Sequence, residues 1–262
     1  MELLSVIMGT YNSEDRISRT IESIINQTYQ NWELIIVNDC STDETEEVLK
    51  RFARSDRRIK FLNNKTNKGL AYCLNRCIKE SNGKYLVRID DDDVCTKSRF
   101  EVQYNFISKN SSFSIVGGNS FLIDDENTWG ERKVKESPNK FDVFQGRAFI
   151  HPTVMLNKSD LVEIGCYSED KKYDRCEDYE LWCRFYKNGY KGININENLI
   201  YYSEGKTDYK KRKKRYRLIF IKAMVEQKKN LEIGARGILV IGNNIVKLFI
   251  PNYFIYLLKT KQ

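Results

Sequence analysis

An α/β fold built on a doubly wound, mostly parallel (mixed) sheet flanked by helices is predicted by two observations. Short apolar runs and amphipathic stretches alternate four times over the first 109 residues, and each apolar run is followed by a polar segment rich in turn formers. Alternation of this kind is the pattern of βαβ units, in which strands buried on both faces read as continuous apolar runs. A third observation separates the C-terminus: from about residue 206 the composition becomes strongly basic and then aromatic. The chain therefore divides into a body, residues 1–205, and a helical basic/aromatic extension, residues 206–262.

The strands of the first half are "LLSVIM" (3–8), "WELIIVN" (32–38), "IKFL" (59–62) and "YLVRI" (85–89). Between them "RISRTIESIINQ" (16–27), "DETEEVLKRFAR" (43–54), "GLAYCLNRCIKES" (69–81) and "SRFEVQYNFISK" (98–109) carry apolar residues at helical spacing. Strands are expected again at "SIVGG" and "TVML", and "EDYELWCRFYKNG" (177–189) reads as a helix stopped by Gly189. In doubly wound sheets ligands bind at the carboxyl ends of the strands. The segments there, "GTYNSED", "DCSTDET", "NNKTNKG" and "DDDDVCT", would gather Asn12, Asp39, Asp43, Lys68 and a run of four aspartates on one rim.

A hydrophobic share of 41% and a charged share of 31% exclude a disordered chain. The opening "MELLSVIMGTYN" has too short an apolar run for a signal peptide and reads as a strand, which predicts a cytoplasmic protein. Seven scattered cysteines without a C-x-x-C pair, beside a single histidine, argue for reduced buried thiols and against a zinc site; Cys73 and Cys77 fall on one helix face. Residues 206–229 hold eleven Lys or Arg against Asp208 and Glu226, more than the whole chain's net +8. A near-neutral body with one cationic segment predicts contact with an anionic surface. "ILVIGNNIVKLFIPNYFIYLL" (238–258), interrupted by Asn and Pro, fits helices lying in a membrane interface better than a span.

"YLVRIDDDDVCT" needs a partner for its charge. In an extended chain Asp90 and Asp92 point to one side, about 7 Å apart, with Asp91 and Asp93 turned away. Two such carboxylates make a hard oxygen site for Mg²⁺ or Mn²⁺; the alternative is a solvated acidic turn. Asp39 and Asp43 have a turn or helix-cap alternative, and Glu177 and Asp178 one as first-turn acids favoured by the helix dipole.

Six motifs in order, "SVIMGTYN", "LIIVNDCSTDET", "NKGLAYCLN", "YLVRIDDDDVCTKSRFEVQ", "HPTVML" and "CEDYELWCRFYKNG", resemble the family 2 glycosyltransferases of GT-A fold that build bacterial surface polysaccharides, over about residues 3–202. The resemblance implies that Asp90 and Asp92 form the D-x-D motif gripping nucleotide and divalent metal, Asp92 being the nearer ligand and Asp91 beside the donor. It implies a nucleobase loop of Thr10, Tyr11 and Asn12, with Asp39 pairing with uracil and Lys68 and Gly69 beside the nucleotide. It makes Asp178 the base of an inverting displacement and Glu177 its acceptor-binding neighbour, and places His151 on the acceptor side; Trp182, at i+4 from Asp178, is expected either to line that side or, as helical spacing favours, to fill the core. The expected donor is a nucleotide-diphosphate sugar, most simply UDP-linked, carrying a hexose or N-acetylhexosamine. The expected acceptor is a glycan hydroxyl, lipid-linked, reached from the inner face of the cell membrane. After Tyr202 the chain departs from many relatives by reading "SEGKTDYKKR". Two readings of other classes compete: a nucleotide-sugar-binding scaffold without catalysis, and nucleic-acid binding through "KKRKKRYR", which the acidic rim opposes.

Overall fold

The computed structural model describes residues 2–124, 127–204 and 214–250. Its framework is a nine-stranded mixed sheet in the order β3-β2-β1-β4-β8-β6-β9-β5, with β7 paired to β6. The first half is the doubly wound unit read from the sequence: β1 (Leu4–Thr10), α1 (Ile17–Ile25), β2 (Trp32–Asn38), α2 (Thr45–Ser55), β3 (Ile59–Asn63), α3 (Leu70–Glu80) and β4 (Tyr85–Arg88). These four strands are mutually parallel. In register, Thr10 stands beside Asn38 and Asn38 beside Asn63, so three strands end on one line.

Both sheet faces are covered because successive side chains in each strand point to opposite sides. Val6, Met8, Leu34 and Ile36 face α1, α2 and α4 (Arg99–Ile107) in one core. Ile7, Ile35 and Val37 face α3 and α7 (Glu177–Lys187) in the other. Cys73 and Cys77 lie on the buried face of α3 as expected, and all seven thiols are free.

The second half bends the sheet around the site. β8 (Met155–Asn157) runs antiparallel to β4 and to β6 (Ile115–Ile123), and β9 (Gly192–Ser203) runs parallel to β6. β5 (Val94–Cys95) and β7 (Thr128–Arg132), neither expected from the sequence, pair antiparallel with β9 and β6. The short helices α5 (Lys140–Phe144), with an Asn139 capping box, and α6 (Lys158–Glu163) fill the corners.

Beyond the body, α8 (Lys214–Asn230) packs against α5 and α7, sending Ala223 and Met224 into the core that α7 builds. α9 (Arg236–Val246) follows. Among the described residues no helix is long and apolar enough to cross a membrane. The junction expected at residue 206, the "KKRK" run of 210–213 and the end of the apolar segment, from residue 251 onward, lie outside the described residues.

Candidate active site

The rim assembles from loops after the parallel strands. Thr10 is buried at the end of β1, Tyr11 is 48% exposed, and Asn12 takes a left-handed φ of 51°. That backbone, which Asn tolerates better than most residues, lets the Asn12 side chain accept from the Thr42 N–H at 2.8 Å while its own N–H donates to Ser41 Oγ at 3.0 Å. The two loops are thereby locked together, leaving the Tyr11 ring outward.

Asp39 is 4% exposed and accepts from three donors: Asn64 Nδ2 at 2.6 Å, Lys68 N at 2.8 Å and Gly69 N at 2.7 Å. Its carboxylate fixes the turn that opens α3, where Gly69 has a φ of 89°. The buried Cys73 thiol is a further hydrogen-bond partner of this carboxylate. Lys68 is exposed at the rim.

The four aspartates do not continue the strand. β4 ends at Arg88, residues 91–92 form a turn, and the Asp93 N–H closes it on Asp90 O at 3.4 Å. Asp90 and Asp92 do converge, but Asp93 joins them: one oxygen from each lies within 4.8 Å of the others. The strand period that turned Asp93 away fails because the backbone reverses first. Asp93 also accepts from the Ser203 N–H at 2.9 Å, which ties the turn to the end of β9. Asp91 alone faces the other way, accepting from Thr10 Oγ1 at 2.6 Å.

Crowding and burial raise these carboxyls. Burial, then Asp90 and Asp91, push Asp92 up to about 7, and burial with Asp90 and Asp92 drives Asp93 well above the carboxylate range. Three oxygens converging under mutual repulsion fit a hard divalent cation.

Arg88, passed over in the sequence, is the charge that holds this site together. It is 2% exposed and donates from Nη2 to Asp90 Oδ1 at 2.5 Å, while its Nε and Nη1 have no hydrogen-bond partner among the described residues. Its backbone O accepts from the buried Arg99 Nη2 at 2.7 Å; Arg99 Nε is held by Gln103, which ties Val116 O and Thr153 O together. A charged residue inside an otherwise apolar strand was the available signal. Arg16, at 3.5 Å from Asp92, is a more exposed second cation that was also missed.

Arg88 and Asp90 line one cavity of about 500 Å³ with Leu70, His151, Glu177 and Asp178. Glu177 and Asp178 open α7, whose free N–H groups favour negative charge. Burial and then the Asp178 charge push Glu177 up to about 7. Burial also raises Asp178, against the Tyr179 N–H that donates to it at 2.7 Å and the Arg88 charge. His151 lines the cavity, its Nε2 2.8 Å from Tyr167 Oη. Burial and the Arg88 charge hold its pKa well below the ordinary value, so the ring is neutral at neutral pH. Trp182 does not reach the cavity: one turn along α7 from Asp178, it is 4% exposed and backs His151 edge-on at 5.8 Å. Of its two expected places it takes the core, where helical spacing carries it.

Across the cavity, the Arg132 guanidinium lies over the Tyr202 ring at 4.9 Å and pairs with Glu204.

A curled α/β sheet with an aspartate turn at its strand ends and an acidic helix start across a cavity defines a glycosyltransferase of GT-A fold. The same fold appears in Staphylococcus aureus TarS 1-349, solved in complex with UDP-GlcNAc: TM-score 0.73, 19% identity, 94% of this chain and 72% of that one covered. Residues 5–165 match the family described as Glycosyl transferase family 2, and the chain belongs to that family. It is 34% identical to the Bacillus subtilis protein EpsE, named as a putative glycosyltransferase, over 95% of this chain and 90% of that one. It is 32% identical to Escherichia coli WfgD over 73% of each; that protein is named as a UDP-Glc:alpha-D-GlcNAc-diphosphoundecaprenol beta-1,3-glucosyltransferase. The family and the relatives support glycosyltransferase activity here.

Proposed function

We propose that the protein is an inverting, metal-dependent glycosyltransferase that moves a sugar from a UDP-sugar to a hydroxyl of a lipid-linked glycan acceptor. The observation that carries this reading is the cavity with Asp90 on one wall and the raised Glu177–Asp178 pair on the other. Asp178, its pKa raised by burial, takes the proton of the acceptor hydroxyl; that oxygen bonds to the anomeric carbon as the carbon's bond to the diphosphate oxygen breaks. Glu177, lifted to about 7, accepts a hydrogen bond from a second acceptor hydroxyl or donates one when protonated. Asp90 and Asp92, with Asp93 beside them, would hold Mn²⁺ or Mg²⁺. That cation, when bound, supplies positive charge to the departing diphosphate. Thr10, Tyr11, Asn12, Asp39, Lys68 and Gly69 frame the nucleotide, and Asp91 braces that loop through Thr10. TarS has been solved in complex with UDP-GlcNAc and WfgD is named for UDP-Glc, which supports a uridine donor.

The extension, residues 206–262, is read as a unit that rests on the inner face of the membrane. α9 and the residues just beyond it leave Leu239 76% and Phe249 81% exposed, beside Arg236 and Lys247. Exposed apolar side chains among cations suit an anionic bilayer surface. Nucleic acid is not the partner in this reading, since the acidic rim opposes it.

The test is metal-dependent release of UDP from a panel of UDP-, GDP- and dTDP-sugars, with and without chelator. UDP release that requires Mn²⁺ or Mg²⁺ and disappears in Asp92→Asn supports the reading. Donor binding that survives Asp178→Asn with no turnover in wild type would favour the non-catalytic scaffold.

A further inference from the structure

We infer that the cavity wall formed by Arg147 and Arg175 is a subsite for a phosphate or diphosphate carried by the acceptor, separate from the aspartate turn that serves the donor. The inference rests on the acceptor reading above and names what that acceptor must present next to its sugar.

Both arginines line the cavity that holds Glu177 and Asp178, and both are exposed. Arg132, which lines the same cavity, is committed to Glu204. Among the described residues neither Arg147 nor Arg175 has a carboxylate in an ion pair; the Arg175 guanidinium lies 5.9 Å from the Tyr216 ring, and its charge pulls Glu177 downward. Arg175 sits in the left-handed region at φ 63°, two residues before Glu177, and Arg147 follows Gly146 at φ 69°. A non-glycine residue held there costs energy that function commonly explains. Two guanidiniums facing one cavity make the forked donor set that phosphate oxygens accept.

Their position assigns them to the acceptor. They stand on the loops after α5 and before α7, the elements flanking Asp178, where the attacking hydroxyl must lie. The same wall then leads outward onto α8. Phe220 of α8 abuts Gly146, where an added Cβ would come within 3.0 Å, and meets Tyr179 at 4.8 Å. Tyr216, one turn earlier, has Arg215 at 4.8 Å from its ring as well as Arg175 at 5.9 Å. Leu218, two positions from each, turns to the opposite face of α8 and is 47% exposed. Next to the base lies the cavity with its two arginines, and the loops that carry them meet the aromatic side chains Tyr216 and Phe220 of α8. An acceptor ordered as sugar, phosphate, lipid matches that arrangement; a neutral glycan would leave two guanidiniums unused.

The experiment compares full-length wild type with Arg147→Gln, Arg175→Gln and Arg175→Lys. One acceptor sugar is presented in three forms: a prenyl diphosphate, a short alkyl phosphate and a neutral alkyl glycoside. Each glutamine variant is expected to lower the kcat/KM ratio of phosphorylated to neutral acceptor about tenfold, with the loss in acceptor KM rather than donor KM. Arg175→Lys should recover part of it. A loss confined to the prenyl form places the anion at a lipid carrier, whereas a loss shared by the short alkyl phosphate places it at any phosphate ester. Calorimetric binding of geranyl diphosphate without donor gives a readout independent of turnover and should weaken about tenfold in both glutamine variants. Equal losses on neutral and phosphorylated acceptors, a loss in donor KM, or unaltered geranyl diphosphate binding would overturn the subsite. Absence of transfer by wild type to any form, with that binding pattern intact, would count against the catalytic reading instead.

Discussion

The two acidic regions of the cavity use the same side chains and arrive at different chemistry. Asp92 in the turn and Glu177 at the start of α7 are both pushed up to about 7, burial being the largest cause in each. In the turn the next causes are further aspartates, and three carboxylate oxygens converge within 4.8 Å. At α7 the repulsion comes from one neighbour, while a backbone N–H donates to Asp178 at 2.7 Å. The first arrangement keeps its charge only if another cation arrives. The second lies within reach of proton exchange with a hydroxyl. A raised carboxyl thus signals a metal site or a base according to how many like charges share it.

The comparison breaks most sharply at Asp178. Asp178→Asn should lower kcat about 10³-fold while donor affinity, followed by fluorescence or calorimetry, changes little; a matching loss of donor affinity would merge the two regions into one. Arg88 is the cation both regions share, so Arg88→Gln should cost about 3 kcal/mol in urea unfolding, because Asp90 loses its buried partner. A cost below about 1 kcal/mol would mean that solvent, not Arg88, carries the charge. Next comes Asp92→Asn, expected to weaken Mn²⁺ binding at least about tenfold without shifting the acidic limb of any residual turnover.

The pH dependence sharpens the contrast further. Asp92 and Glu177 bind protons more tightly folded than unfolded, so their contribution to stability is full below about pH 4 and is lost as pH rises through about 7. Without metal, Tm should accordingly fall more steeply between about pH 5 and 7.5 in wild type than in Asp92→Asn, and Mn²⁺ should raise it more at the upper end of that range. Equal slopes would remove the crowding argument. The smallest effect is assigned to Arg16→Ala: its pair with Asp92 spans 3.5 Å with side chains 47% and 32% exposed, so Mn²⁺ affinity should change by no more than about fivefold.

The first half of the fold was legible in the sequence because strands buried on both faces and one-sided helices write periods that residue types display. β5 was not, since two residues, Val94 and Cys95, carry no period and pair with a strand about a hundred positions away. The site followed the same division. Asp90, Asp92, Glu177 and Asp178 were readable as acids in a motif; Asp90, Glu177 and Asp178 line one cavity, and Asp92 converges with Asp90 at its edge. Asp93 was placed on the wrong side because a turn replaced the strand. Arg88 was overlooked because its burial depends on Asp90 and on Arg99, which only folding brings beneath it. Trp182 shows the converse: its helical spacing already favoured the core, and it lies there behind His151.

The strand order also dictates when this enzyme becomes complete during synthesis. β3-β2-β1-β4 can form once residue 88 has left the ribosome, and α1 then holds the backbone of the turn and of β5 through Arg19, Thr20 and Ser23, but the strand partners Ile200 and Tyr201 and the Ser203 N–H that donates to the Asp93 carboxylate are made last. More than a hundred residues must therefore be translated while the acidic turn lacks its tie to β9. A nascent chain stalled near residue 190 would hold a formed nucleotide-side sheet and an aspartate turn in which Asp93 lacks its Ser203 donor, so full cation affinity should emerge late in translation, together with β9.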